Sequence, residues 1–296
     1  MSLCRLIVLA LAAHTLPVEA AVAVIDDADR RVELSAPARR IISLSPALTE
    51  SLFAAGGGPR LVATVAASDY PPSARHVPRL GDAANLSLEA LIARRPDLVL
   101  VWGSGNPPRL VARLRELGIP VYVSEVRSLD GVAETLEELG ILAGEPRRGR
   151  AAAAEFRLGL DALRRRYGDA APLRVFYQVW PQPLITVGGP HLISRALELC
   201  GGQNVFGEFD HLAPKVTVEA VLARDPEVIV AAGAEGAADP LAPWAAWPEL
   251  RAVRAHNLIT IDADLLHRPT PRLLDGARHL CRALHEIRTT SGAQKR

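Results

Sequence analysis

The chain has 296 residues, 49% of them apolar and 23% charged, and its 34 Lys and Arg nearly balance its 33 Asp and Glu. On a prior of roughly 100 to 200 residues per domain, that length allows two lobes or one large α/β domain with a full core, and the composition excludes a disordered or collagen-like chain. A net charge of +1 offers no diffuse positive field, and the basic residues, almost all arginine apart from Lys215 and Lys295, are interspersed with acids, so nucleic acid is not an expected partner.

The N-terminus differs from everything after it. Arg5 is followed by an apolar run from Leu6 to Ala13, then Pro17 and the small-residue stretch Val18-Glu19-Ala20-Ala21. This is the pattern of an export signal over residues 1–20, with cleavage after Ala20 or Ala23. The run is too short for a membrane-spanning helix, which needs about 20 residues, and no later segment is long and apolar enough. Cys4 lies before the run, where it cannot be the lipid-carrying cysteine that follows such a run. The mature protein is therefore expected to be soluble, with no lipid anchor.

Beyond the signal, short apolar runs alternate with helical stretches. Arg40 to Leu44, Leu61 to Val65, Leu98 to Trp102 and Val121 to Val123 read as strands, and a second series follows with Arg174 to Gln178, Val228 to Ala232 and Leu258 to Ile261. Strands separated by helices of about ten residues imply βαβ units and mainly parallel sheets. Between the two series, Pro146 to Gly168 carries Phe156, Leu160 and Leu163 at helical spacing, enough for one rod about 30 Å long. The expected fold class is α/β: two βαβ lobes joined by one long helix, with a first lobe over 38–143, the connector over 144–168 and a second lobe over 172–290.

A repeat ties the two series together. Leu-Ser-Leu-Glu-Ala-Leu-Ile-Ala-Arg-Arg-Pro-Asp-Leu-Val-Leu at 86–100 matches Val-Thr-Val-Glu-Ala-Val-Leu-Ala-Arg-Asp-Pro-Glu-Val-Ile-Val at 216–230, with five identities and conservative changes at nearly all other positions. Each copy reads as an N-cap (Ser87 or Thr217), a short helix, a proline that stops it and a buried strand. Either two related lobes use one cassette twice, or local capping rules produced the unit independently. A weaker echo joins Ser45-Pro46 to Gly189-Pro190, each opening a helix that ends in Gly56-Gly57 or Gly201-Gly202. Two lobes on one rod enclose a cleft.

Enzyme motifs are missing: there is no G-x-S-x-G elbow, Walker A loop, H-E-x-x-H or C-x-x-C. Gly103-Ser104-Gly105 follows a strand, but Pro107-Pro108 stands where a dinucleotide fingerprint opens a helix, so the loop reads as cleft rim. The eight histidines are dispersed, and no metal site is indicated. Aromatic residues make up only 4% of the chain, and Tyr70, Trp102 and Trp180 fall at strand ends or in loops, where an α/β lobe contacts ligand; ordinary lobe packing is the competing reading. Trp244 and Trp247, flanked by prolines, are expected in the core of the second lobe. After signal removal Cys200 and Cys281 remain, and in an oxidising compartment an even count favours a disulfide over two separate buried thiols. Such a bond would close a long loop, worth roughly 4 kcal/mol by the chain-entropy model.

Ile-Ile-Ser-Leu-Ser-Pro-Ala-Leu-Thr-Glu (41–50), Ser-Asp-Tyr-Pro-Pro (68–72), the Glu-containing cassettes and Leu-Cys-Gly-Gly-Gln-Asn-Val-Phe (199–206) resemble the periplasmic cobalamin-binding proteins of ABC importers, from about Arg40 to Ile287. The broader group also binds haem and ferric siderophores. The resemblance implies two lobes that close little on their ligand, a Cys200–Cys281 disulfide, and a ligand set of Tyr70, Trp102 and the segment Asp264, Leu265, Leu266, His267 and Arg268. A corrin offers apolar faces for aromatic stacking and an amide fringe for Asp264, Arg268 and the tyrosine hydroxyl. Glu89 and Glu219 match glutamates that dock on arginines of a two-fold-symmetric permease dimer; as first-turn acids they also suit the helix dipole by some 0.3 to 1 kcal/mol. Three family rings are replaced, by Ala83, Ala213 and Ile185, and Trp180 is a substitute surface. The expected function is a monomeric periplasmic receptor, not an enzyme, that needs no cofactor and carries cobalamin or a related corrinoid as cargo. The alternative is the same receptor for haem, with Tyr70 or His267 as axial ligand, or for a siderophore.

Overall fold

Residues 20–82, 86–234 and 236–294 are described in a computed structural model, with side chains to residue 290. The export signal, except Ala20, and the substituted position Ala83 lie outside these residues. The chain begins with a hairpin, β1 (Val22–Ile25) and β2 (Arg31–Leu34), which the sequence reading did not include. The first lobe follows as β3 (Ile41–Ser43), α1 (Pro46–Ala54), β4 (Leu61–Ala63), α2 (Leu88–Ala93), β5 (Leu98–Trp102), α3 (Pro108–Glu116), β6 (Val121–Ser124) and α4 (Leu129–Leu142). Helix α5 (Pro146–Tyr167) leads to the second lobe: β7 (Leu173–Gln178), the small hairpin β8 (Trp180–Pro181) and β9 (Leu184–Ile185), α6 (Leu192–Leu199), β10 (Gly202–Asn204), α7 (Val218–Arg224), β11 (Val228–Gly233), α8 (Arg251–Arg254), β12 (Leu258–Asp262), α9 (Ala263–Leu266) and α10 (Leu273–Gln294).

Leu98 to Val101 are all fully buried, the pattern of a parallel strand covered on both faces. All pairings in the two main sheets are parallel, in the orders β4-β3-β5-β6 and β10-β7-β11-β12. Counted within each lobe, both orders are second, first, third, fourth strand, so the lobes share one topology. The strand sites read from the sequence are all observed, to within two residues at their ends. Strand β10 was missed because Gly-Gln-Asn carries no strand propensity and sits at a sheet edge.

The cassettes repeat one set of hydrogen bonds. Ser87 accepts the amide of Ala90 and Thr217 that of Ala220, so each hydroxyl caps its helix. Both helices end at a left-handed residue before proline, Arg95 at φ 46° and Asp225 at φ 40°. Asp97 then accepts the amide of Arg40, and Glu227 that of Arg174; the two arginines return to the carbonyls of Arg94 and Arg224. The next residues enter β5 and β11, so each cassette is bolted to the first strand of its own sheet.

Helix α5 buries Gly149, Ala153, Phe156, Leu160, Leu163 and Tyr167, a single stripe at three- and four-residue spacing. The stripe belongs to a core that also contains Leu129, Val132 and Leu136 of α4, Val175 and Tyr177 of β7, Ile193 and Leu197 of α6, and Leu280 and Leu284 of α10. The connector is thus embedded between the lobes. Cys200, at the end of α6, is disulfide-bonded to Cys281 of α10, as the resemblance implied. Trp244 is buried in the second lobe's outer core, with Trp247 packed part-buried against it. Helices α4 and α5 meet on glycine: a Cβ at Gly149 would lie 2.6 Å from the Leu136 carbonyl oxygen, and one at Gly140 would lie 2.8 Å from the Gly149 Cα.

Replacing Gly149 by alanine should gain roughly 1 kcal/mol of helix propensity. Pushing a methyl into backbone should cost about 1–3 kcal/mol. The clash is against main chain and cannot rotate away, so the expected outcome is a lower urea midpoint for Gly149→Ala; a raised midpoint would show that the helices can separate freely.

Candidate functional site

A cavity of about 610 Å³ lies between the lobes. Its walls come from the segments just past the carboxyl ends of β3, β5 and β6 in the first lobe and of β7 in the second, joined by the start of α6 and the end of α9. In a parallel sheet of this order, strands one and three send their connections to opposite faces and leave a crevice at the switch point. Here two such crevices face one space. Leu48, Val126, Val179, Leu192, Ile193 and Leu266 supply apolar wall, while Ser45, Ser104, Ser124, Glu125, His191, His267 and Arg268 place polar groups around it.

On the first-lobe side, Trp102 ends β5 and is 49% exposed. Its amide donates to Asn106 Oδ1 at 2.7 Å, and the buried Asn106 side chain donates to the Leu44 carbonyl at 3.2 Å, tying the β5 loop to the β3 loop. A Cβ at Gly105 would lie 1.8 Å from the indole, so the ring rests on bare backbone and only glycine fits beneath it. Ser104 lines the cavity and donates its amide to Glu125 Oε2 at 2.6 Å and its hydroxyl to Oε1 at 3.2 Å. The Glu125 amide in turn donates to Asp27 Oδ2, while Asp26 takes the amides of Ala28, Arg30 and Val123. The N-terminal hairpin therefore buttresses the rim. The Gly103-Ser104-Gly105 loop is the rim read from the sequence.

On the second-lobe side, His191 caps α6, its Nδ1 accepting the Ile193 amide at 3.1 Å, which leaves the ring proton on Nε2. Burial, with His267 nearby, pushes the His191 pKa down to about 4. Burial also lowers that of His267, whose Nε2 shares a 3.1 Å hydrogen bond with the Tyr177 hydroxyl. Both imidazoles are neutral at pH 7. Arg268, 15% exposed at its side chain, pairs with Asp69 of the first lobe at 2.8 Å and with Asp264 at 2.9 Å. Burial acts to raise the Asp69 pKa, but the hydrogen bond and charge of Arg268 outweigh it and the net shift is downward; at Asp264 burial wins and the net shift is upward.

Of the eight residues expected to bind ligand, Trp102, Leu266, His267 and Arg268 line the cavity. Tyr70 stands outside the wall, part-exposed, under the guanidinium of Arg272. Trp180 is 58% exposed on the β8–β9 hairpin, opposite Ile185, with its indole N–H donating to the Gln182 carbonyl. Asp264 is engaged by Arg268, and Leu265 turns its carbonyl toward Gly276 of α10. Ala213, where the resemblance places a missing ring, is in the wall. Glu89 and Glu219 lie outside the cavity, exposed, in the first turns of α2 and α7. Sequence reading missed Asn106 and Glu125 because each acts through a backbone group distant in the chain, and His191 because histidine is an uncommon N-cap, here accepting the amide two residues on. Among the described residues, no group of three or more His, Cys, Asp or Glu is arranged to hold a metal, and no helix is long and apolar enough to cross a membrane.

Residues 41–265 match the family described as periplasmic binding protein. The vitamin B12-binding protein of Vibrio cholerae serotype O1 is 41% identical over 246 residues, covering 83% of this chain and 88% of that protein. The vitamin B12-binding protein of Yersinia pestis is 38% identical over 253 residues, covering 85% and 88%. Among solved structures, the periplasmic vitamin B12 binding protein BtuF of Vibrio cholerae superposes with a TM-score of 0.79 at 40% identity, covering 85% of this chain and 98% of that one. The periplasmic haem-binding protein BhuT in complex with two haems superposes at 0.71 and 27% identity, covering 83% and 98%.

The lowered pKa of His191 sets a pH dependence. Its folded value lies below the ordinary 6.5, so between about pH 6.5 and 4 the unfolded chain binds more protons and stability is lost as pH falls. Glu138, raised to about 7 chiefly by burial, acts in the opposite sense between its ordinary value and 7. His191→Asn keeps a capping side chain and removes the titration. It should therefore retain stability between pH 7 and 5 better than the unsubstituted protein by on the order of 1–2 kcal/mol in urea unfolding; parallel losses in the two proteins would show that His191 titrates normally.

Proposed function

Because the chain belongs to the periplasmic binding protein family, a family of solute carriers rather than enzymes, we propose that it captures cobalamin or a related corrinoid in the interlobe cleft and delivers it to an inner-membrane ABC transporter. The observation that carries this reading is the cavity: an apolar-walled space at the facing switch points of two pseudo-symmetric lobes, with a half-exposed tryptophan on its rim and Arg268 and neutral imidazoles on its wall. Apolar corrin faces suit the Trp102 ring and aliphatic wall, and the amide fringe suits Arg268 and the serine hydroxyls. A corrin with its side chains and nucleotide tail exceeds the cavity volume. Part of the ligand then lies outside the wall, where Tyr70, Trp180, Asp264 and Leu265 stand, and this reconciles their position with a ligand role.

Glu89 and Glu219 serve as the docking pair. They occupy equivalent positions in two cassettes of identical construction, and a pair of related carboxylates presented by a monomer matches a permease built on a two-fold axis. The protein reaches the periplasm through the signal over 1–20. Cleavage after Ala20 leaves β1 whole, whereas cleavage after Ala23 would cut it. The units 38–143 and 172–290 act as the two ligand-binding lobes. Haem is the second reading, favoured by the neutral His267 in the cavity wall; an imidazole-ligated haem would announce itself by a shifted Soret band.

Isothermal titration of the mature protein with cyanocobalamin should give one site with a submicromolar Kd. Heat with haemin alone would replace the ligand and keep the receptor role, and silence with both would remove the corrinoid and haem assignments. Charge reversal at both docking residues (Glu89→Arg with Glu219→Arg) should leave that Kd within about twofold while abolishing stimulation of the transporter ATPase; undiminished stimulation would rule out the docking role.

A further inference from the structure

We propose that Arg272, held by Glu50, is a positioning residue that fixes the ring of Tyr70 at the cleft edge by a salt bridge spanning the two lobes. Glu50 belongs to α1 in the first lobe and is only 2% exposed. Arg272 lies in the turn before α10, 222 residues away. Its Nε donates to Glu50 Oε1 at 2.9 Å and one terminal nitrogen to Oε2 at 2.7 Å, a two-point pairing that fixes the plane of the guanidinium as well as its place. That plane covers Tyr70, with its central carbon 3.9 Å from the ring centroid. A cation held this closely over a phenol is attracted to the ring face.

The arrangement answers how a part-exposed tyrosine on an irregular loop keeps one orientation. Asp69 anchors the backbone of that loop to Arg268, which reaches across from the second lobe, and Arg272 anchors the side chain. The side chains that meet Tyr70 and Asp69 on this face, Arg272 and Arg268, therefore come from the opposite lobe, while Arg75 and Arg79 of the same lobe hold the loop carbonyls of Asp69 and Ser68. The ring takes its position only when the lobes are at the observed angle, and a ligand leaning on Tyr70 meets a surface already set. An arginine is required because lysine cannot supply both the two-point pairing and the flat face. The hydrogen bond to Glu50 also raises the Arg272 pKa, keeping it charged.

The inference rests on the corrinoid reading only for its affinity test, so one readout is independent of any ligand. The chain has four tyrosines, and in protein labelled with 3-fluorotyrosine the Tyr70 resonance is assigned by its loss in Tyr70→Phe. Arg272→Met, and separately Glu50→Gln, should move that resonance toward the free amino acid and narrow it, with Arg272→Lys intermediate. In titrations with cyanocobalamin, Arg272→Met should weaken binding roughly tenfold when Tyr70 is present but less than about twofold in a Tyr70→Ala background. An unmoved resonance in Arg272→Lys and Glu50→Gln, or equal losses of affinity in both backgrounds, would overturn the proposal. Failure of the unsubstituted protein to bind cyanocobalamin would fall on the ligand assignment alone, and the resonance would still decide the role of Arg272.

Discussion

The cleft depends on one apolar seam that neither lobe owns. Phe156, Leu160 and Leu163 of α5 pack in the same core as Leu129 to Leu136 of α4 and as α6, β7 and α10 of the second lobe. Burial of each such side chain is worth about 1.5–3 kcal/mol, so opening the lobes along this seam would expose several at once. A flexible hinge of polar residues would let the lobes swing, whereas a helix embedded in a common core holds them at one angle. The cavity, the facing switch points and the crossing ion pairs all presuppose that angle.

The polar contacts between lobes act on this fixed frame and refine it. Arg268 and Arg272 both leave the second lobe and end on first-lobe carboxylates, Asp69 and Glu50. The pair with Glu50 is the more consequential because Glu50 is buried: stripped of its partner it would be a desolvated charge, which is far costlier than a lost surface bridge. Asp69 is more exposed, and its contribution is to orient rather than to stabilise. A binding site assembled this way is organised before its ligand arrives, so less conformational freedom has to be lost on binding.

Pseudo-symmetry extends from topology to single hydrogen bonds. Ser87 and Thr217, Arg95 and Asp225, Asp97 and Glu227 hold equivalent posts, and the sheets repeat one strand order. The lobes nonetheless treat the cleft differently. The first contributes an aromatic rim braced by the Glu125–Ser104 contact, and the second contributes two neutral imidazoles and the arginines.

The sequence by itself determined the strands, the long helix, the repeat and the half-cystine pair, because these follow from local patterning: apolar runs, helical spacing, caps, prolines and cysteine count. It also located Trp102, since strand ends are where ligands meet α/β lobes, while the family resemblance pointed to the 264–268 segment, of which Leu266, His267 and Arg268 line the cavity. It did not reveal the β1–β2 hairpin, whose apolar residues adjoin the signal, or β10, whose residues have no strand preference. Nor did it reveal His191, Glu125 or the pairing of Glu50 with Arg272. Those roles were decided by tertiary structure, because a side chain acquires its function from what lies within about 3 Å: Glu125 meets Ser104 only when β5 and β6 pair, Glu50 meets Arg272 only when both lobes pack around α5, and the locally capping His191 reaches the cavity wall only through the fold.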